Sequence, residues 1–155
     1  MTLPSDTEFQ LSRQFDAPRE LVFDCWTKPE HVRRWWGCGG SELSVCDIDL
    51  RVGGKFRYVL NMEGQEFGFN GVYQEIVRPE RLVHTYIFEP MPEHEAVVTV
   101  AFEEAAGRTT LTETTKHKSK ESRDGHLNSG MEGGARATLD RLEELLASFQ
   151  MLGTK

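Results

Sequence analysis

Glu113 is the residue whose type and position most clearly suggest chemistry. In the run Leu111-Thr112-Glu113 the carboxyl group shares one face of an expected strand with the apolar Leu111. A carboxylate that faces an apolar interior is costly unless it is paired or protonated. His84 and Arg57 are conceivable partners, although alternation places Arg57 on the outward face. A solvated glutamate near a strand end is the alternative, and the sequence leaves both open.

Aromatic residues recur at every second position in the segments that precede Glu113. Such a face either packs as a solid core or forms the wall of a cavity, and both interpretations are open. Tyrosine suits a cavity wall because it combines an apolar ring with one hydroxyl donor. The residues expected on the inward face are Phe56, Tyr58, Leu60, Phe67, Phe69, Tyr73, His84, Tyr86 and Phe88.

Other chemical motifs are missing from the sequence. It contains no GxSxG, HExxH or P-loop pattern, and the glycine-rich run at residues 37–40 lacks the lysine of a phosphate-binding loop. His94, His117 and His126 lie among polar residues, so we expect them at the surface rather than around a metal. The sequence therefore predicts no metal, no cofactor and no catalytic set.

The cysteines suggest free thiols. Cys25, Cys38 and Cys46 are odd in number and form no CxxC pair, which argues against a disulfide framework or a zinc site. Cys38 stands beside glycines and is the one that we expect to be exposed and oxidisable.

Composition excludes several classes of function. The chain has 155 residues and a formal net charge of −7, which opposes unspecific binding to nucleic acid or anionic membranes. No apolar run approaches the roughly 20 residues of a membrane span. The polar start, Met1 to Gln10, lacks the pattern of a signal peptide. We predict a cytoplasmic single domain over residues 1–155, with its core at about 8–150.

Hydrophobic periodicity predicts a strand, two short helices, about six strands and one long helix. A first strand is expected near Phe9 to Phe15, and a period of two runs from Ser41 to Thr115. Glu63-Gly64 and Ala106-Gly107 are expected turns. Short turns between consecutive strands favour an antiparallel sheet.

Helical spacing precedes and follows this region. Pro18 lies near the start of a first helix, and Pro29 opens a second one that ends at Trp35-Trp36-Gly37. Apolar residues from Leu127 to Phe149 predict a long amphipathic helix, weakened near its start by glycines that cost roughly 1 kcal/mol each relative to alanine. The charged stretch Lys116 to Asp124 is expected to be a solvated loop.

These elements predict an α+β fold. A curved antiparallel sheet of six to seven strands and one long helix bury both apolar faces only if the helix lies across the concave side of the sheet.

The sequence also resembles a known family. The opening run from Phe15 to Phe23, FDAPRELVF, resembles the START-like, helix-grip (birch-pollen-allergen-like, SRPBCC) superfamily. The run from Pro29 to Gly37, PEHVRRWWG, is similar to its bacterial branch related to the activator of heat-shock-protein-90 ATPase. The later runs RVGGKF, GVYQEI, GMEGG and LDRL, at residues 51–56, 71–76, 130–134 and 139–142, agree with that branch. The motifs are specific for fold and weak for function, because this fold hosts many activities.

The sequence departs from the family pattern at two positions, and one of them bears on an interior cavity. The family carries Trp after the glycine that corresponds to Gly134, where this chain has Ala135, and Pro after Trp-Trp-Gly, where it has Cys38. Either another aromatic ring fills the space at Ala135, or the cavity is enlarged there.

The resemblance implies an apolar cavity between sheet and helix, and therefore a small hydrophobic or aromatic ligand that is lipid- or polyketide-like. Its implied alternatives are a co-chaperone-like module that binds a chaperone and a cyclase- or hydrolase-like enzyme that uses Glu113, His84 or a pocket tyrosine. The protein is expected to be a monomer or homodimer that binds no nucleic acid. The residues predicted to contact the ligand are Trp35, Phe56, Tyr58, Phe67, Phe69, Tyr73, His84, Tyr86, Glu113, Met131, Ala135 and Leu139.

Overall fold

An antiparallel sheet of eight strands dominates the computed structural model. The structure describes residues 1–37 and 41–153, with the side chains of 151–153 left aside. In chain order the strands are β1 (Thr2–Ser5), β2 (Glu8–Phe15), β3 (Ser41–Ile48), β4 (Lys55–Met62), β5 (Gln65–Val77), β6 (Arg81–Phe88), β7 (Ala96–Ala105) and β8 (Arg108–Lys116).

The helices lie in two parts of the sequence, between β2 and β3 and after β8. A short 3-10 turn, Pro92–His94, precedes β7. The α-helices are α1 (Arg19–Thr27), α2 (Pro29–Trp35), α3 (Lys120–Leu127) and α4 (Met131–Gly153).

The order of strands in the sheet is β1-β2-β8-β7-β6-β5-β4-β3. From β3 onwards each strand pairs with the next along the chain, and β8 then pairs with β2. The helices α1 and α2 therefore carry the chain from β2 to the far edge of the sheet. Glu63-Gly64 and Ala106-Gly107 form the predicted turns, and all four residues have a positive φ, as tight hairpins between twisted strands require.

The predicted fold class is confirmed, with one addition. The sheet is antiparallel, two short helices follow the strand over Phe9 to Phe15, and a long helix closes the chain. The addition is β1, an edge strand of four exposed residues paired to β2. No apolar alternation marks this segment, because none of its side chains is buried.

The C-terminal region differs from the prediction in two respects. The expected loop contains α3, which the Ser119 hydroxyl caps by accepting a hydrogen bond from the Ser122 amide at 3.0 Å. The side chain of Arg123 is buried, and it donates to the Ser5 carbonyl at 2.6 Å. The expected continuous helix is interrupted before Met131, because Gly130 adopts a φ of +83° that ends helical geometry.

The buried core forms two clusters. In one, Leu142, Leu145 and Leu146 of α4 pack with Phe15 and Phe102 of the sheet. The other is built mainly from β3, β4 and β5, together with Val32 of α2. The C-terminal half of α4 thus packs closely on the sheet, while its first two turns, residues 131–138, contribute no residue to either cluster.

Candidate ligand-binding cavity

A cavity of about 440 Å³ lies between the sheet and the N-terminal half of α4. This volume falls within the range of about 300–1,000 Å³ that is typical of small-molecule sites. The inward-facing rings of β4, β5 and β6 form one wall, and α4 forms the opposite wall with Met131, Ala135 and Leu139. All the predicted contact residues except Phe67 line the cavity.

Phe67 lies outside the cavity. It shares its strand with Phe69, but it is not among the lining residues, and its ring stacks on that of Phe88 with centroids 6.2 Å apart. Alternation identified the correct face of β5, but it could not indicate where along the strand the cavity ends.

The aromatic wall is packed ring against ring. The centroid of Trp36 lies 4.9 Å from Tyr58 and 5.0 Å from Phe69, and Phe69 stacks on Tyr86 at 5.9 Å with an interplanar angle of 19°. Burial raises the pKa of Tyr58 and of Tyr86 well above that of free tyrosine. The phenols are therefore neutral at physiological pH and act as hydrogen-bonding groups rather than as anions.

Tryptophans close one end of the cavity. Trp35 is buried, and its indole Nε1 donates a hydrogen bond to the Cys25 carbonyl at 2.8 Å. Trp26 packs against it, with ring centroids 4.7 Å apart, and Trp36 completes the group. Because its polar atom is satisfied, Trp35 presents an apolar surface to the cavity.

Glu113 is the acidic residue of the cavity wall. Its neighbours across the strands are Leu11 on β2 and Val100 on β7, both apolar. No hydrogen bond or ion pair to its carboxyl group occurs within residues 1–37 and 41–150. Burial raises the pKa of Glu113 to about 7, since nothing compensates for the lost hydration. Arg57, one of the partners considered, lies on the outer face and binds both Glu89 carboxylate oxygens at 2.8 Å.

His84 also lines the cavity, and it is not hydrogen-bonded to Glu113. Its Nδ1 lies 2.8 Å from the Thr85 carbonyl oxygen, so Nδ1 carries the proton that is donated there. Burial lowers the pKa of His84, which keeps the ring neutral. In the neutral ring Nε2 is then an acceptor, and no donor in the described part of the chain reaches it.

The expectation of surface histidines is wrong for His117 and His126. His117 is buried, and His126 lines the cavity with its ring parallel to that of Tyr86 at a centroid distance of 6.4 Å. Hydrophobic periodicity did not reveal these positions because the expected loop contains a helix, α3, which packs against β2. Phe9 and Thr115, opposite each other on β2 and β8, are further lining residues that were not predicted.

Ala135 lies on the cavity wall. This position favours the enlarged cavity over a space filled by another aromatic ring. Cys38, the other departure from the family pattern, falls outside the described residues.

The remaining features concern metals, thiols and membranes. Among the described residues, no group of three or more His, Cys, Asp or Glu side chains is arranged to hold a metal ion. Cys25 and Cys46 are buried free thiols, and burial raises their pKa to about 12 and about 11. None of the helices described is both long and apolar enough to cross a membrane.

The architecture and its interior cavity define a helix-grip protein. More narrowly, the chain belongs to the family described as activator of Hsp90 ATPase homolog 1-like protein, whose model matches residues 16–147. No curated protein sequence matches the chain.

Solved structures share the fold at low sequence identity. A Rhodobacter sphaeroides protein is 25% identical with a TM-score of 0.88, and the match covers 95% of this chain and 97% of that one. A Nitrosomonas europaea protein is 24% identical with a TM-score of 0.86, covering 96% and 99%. An HSP90 activator from Plasmodium falciparum is 23% identical with a TM-score of 0.68, covering 91% and 96%.

Proposed function

We propose that the protein binds a small hydrophobic or aromatic molecule, lipid- or polyketide-like in character, between the sheet and α4. The observation that carries the proposal is the cavity of about 440 Å³ with its aromatic wall. Interiors of folded proteins are close-packed, and a space of this size would forfeit packing energy if it served no purpose.

The junction between α3 and α4 is the proposed entrance. His126, Ser129 and Met131 border the cavity at this junction, and Gly130 interrupts the helix there. Gly133 and Gly134 weaken the first turn of α4 further, by roughly 1 kcal/mol each relative to alanine. This turn can therefore open at lower cost than the C-terminal half of the helix, which is packed on the core.

The affinity follows from the apolar surface that a ligand buries. About 200 Å² of ligand surface is worth about 5 kcal/mol before the cost of association. We therefore expect micromolar dissociation constants at best unless polar groups contribute.

Isothermal titration calorimetry with neutral aromatic and aliphatic compounds tests the proposal. Ala135→Trp places an indole in the cavity and should weaken binding at least tenfold. Ala147→Trp is the matched control, because Ala147 is exposed on the same helix; it should bind as the wild type does. Absence of binding by every compound, or equal binding by both variants, would count against the cavity as the site.

A chaperone-binding role is the second candidate. It is supported by the family description and by the structural likeness to an HSP90 activator from Plasmodium falciparum. Co-precipitation with a purified bacterial Hsp90 tests it. Capture that persists in Ala135→Trp would favour a surface interaction independent of the cavity.

An enzymatic role would require Glu113, His84 and a tyrosine to meet at one bound atom.

A further inference from the structure

Resting on the proposed function, we infer that the cavity selects a hydrophobic molecule that carries a protonated amine, with Glu113 as its counter-ion, and rejects carboxylates such as fatty acids.

The distribution of charge around the cavity supports this selection. Neither Lys nor Arg is among the described residues that line it, and Glu113 is the acidic side chain there. Arg13 lies two residues after the lining residue Leu11 on β2. Its guanidinium group is already paired with α4, since its Nη2 lies 2.7 Å from both Asp140 and Glu143. A carboxylate ligand would enter without a cationic partner and would face a second carboxyl group.

Two side chains of the wall offer acceptor atoms that no described protein donor uses. Glu113 has two carboxyl oxygens without a protein donor, and His84 presents Nε2 as an acceptor because its Nδ1 donates to Thr85. A ligand ammonium group has three donors and no acceptor, as lysine does. It complements these atoms, whereas a ligand with only acceptors leaves the ionised Glu113 unpaired, at a substantial desolvation penalty.

The rings of the wall favour a cation as well. Trp36, Phe69 and Tyr86 line the same cavity as Glu113. The faces of aromatic rings attract ammonium groups, and the attraction is larger when water is excluded. The apolar body of the ligand would occupy the space beside Ala135 and Leu139.

Proton linkage provides a signature that simple hydrophobic binding lacks. With its pKa at about 7, Glu113 is mostly protonated at pH 6.5. An alkyl ammonium group has a pKa of about 10, similar to that of lysine, so it stays charged. Its binding should ionise Glu113 and release a proton. The other titratable groups facing the cavity are Tyr58, Tyr73, His84, Tyr86 and His126. Burial keeps each of them neutral near this pH.

The test uses three probes of nearly equal shape: 2-(1-naphthyl)ethylamine, 2-(1-naphthyl)ethanol and 1-naphthylacetate. Calorimetric titrations in two buffers of different ionisation enthalpy measure affinity and proton release together. At pH 7.5 the amine should bind at least tenfold more tightly than the acetate. At pH 6.5 its binding should release up to one proton. Its affinity should rise between pH 6 and pH 7.5 and then level off, while that of the alcohol stays constant.

Glu113→Gln identifies the counter-ion. This variant should lose at least tenfold in affinity for the amine, retain its affinity for the alcohol and release no proton. Glu103→Gln, on the exposed end of β7, is the matched control and should bind as the wild type does. Binding of the acetate as tight as that of the amine, or an unchanged preference in Glu113→Gln, would overturn this inference alone. Failure of all three probes to bind would overturn it together with the proposed function.

Discussion

Nε2 of His117 lies 3.0 Å from Nδ1 of His126, and this hydrogen bond joins the end of β8 to α3. Phe9 packs on both rings, with centroids 6.2 Å and 5.0 Å away. Burial lowers the pKa of both histidines, that of His126 to about 4, with a further contribution to His117 from nearby His94. The Nδ1 atom of His117 is buried without a partner. One of the two facing nitrogens must accept, so the pair can no longer hold α3 once both rings are protonated.

Acid should loosen this end of the molecule. Because the folded-state pKa of His126 lies below its unfolded value of 6.5, its contribution is fully present above that pH and is lost as the pH falls towards 4. The glutamine variant His126→Gln keeps a hydrogen-bonding group but does not titrate. Urea unfolding at pH 7.5 and pH 4.5 measures how much unfolding free energy each protein loses between these two pH values. The loss should be about 2 kcal/mol smaller in His126→Gln than in the wild type. Equal losses would show that the pair does not carry this acid sensitivity.

The cavity carboxyl group should have the opposite dependence. The folded-state pKa of Glu113 is raised from 4.5 to about 7, so its contribution is present below pH 4.5 and is lost as the pH rises through 7. Glu113→Gln should therefore be more stable than the wild type at pH 8 by on the order of 2 kcal/mol, with little difference at pH 4.5. Glu103→Gln should change the free energy of unfolding by less than about 0.5 kcal/mol at either pH. A destabilised Glu113→Gln at pH 8 would contradict the lack of a partner for the carboxyl group.

The C-terminal half of α4 should dominate the stability of the fold. Leu142 is completely buried in the larger core cluster, and its replacement by alanine should destabilise the protein by about 3 kcal/mol, since a cavity remains where the side chain was. Leu50 is 41% exposed, and Leu50→Ala should cost less than about 1 kcal/mol. Denaturant midpoints measured on both variants check the contrast, and similar midpoints would contradict it.

Close approach of strands should make Gly71 difficult to replace. A Cβ atom there would lie 2.0 Å from the Thr85 carbonyl oxygen and 2.5 Å from Cε2 of Phe56. Gly71→Ala should therefore lower the melting temperature and displace the Phe56 ring that lines the cavity. Gly133→Ala meets no atom within 4 Å and should instead stabilise α4 by about 1 kcal/mol. Differential scanning calorimetry distinguishes the two, and equal melting temperatures would refute the steric argument.

The sequence allowed most of the fold to be predicted, because long alternating segments and glycine turns are local signals. Glu113 and the aromatic face of β4 to β6 were identified for the same reason. The position of α3 was not accessible from hydrophobic periodicity, since its stability comes from the Ser119 cap and from Arg123, which reaches a distant carbonyl on β1. The pairing of His117 with His126 depended on that helix, and was therefore missed with it. The extent of the cavity along β5, which leaves Phe67 outside, is a property of packing in three dimensions.

The unequal packing of α4 has an evolutionary consequence. Its leucine-rich half holds the scaffold, while Met131, Ala135 and Thr138 face open space in the other half. If the cavity binds the proposed ligand, mutations at these three positions should alter ligand preference without the penalty that a change at Leu142 imposes. The same fold at about a quarter sequence identity in the Nitrosomonas europaea and Rhodobacter sphaeroides proteins shows how much side-chain substitution this backbone accommodates.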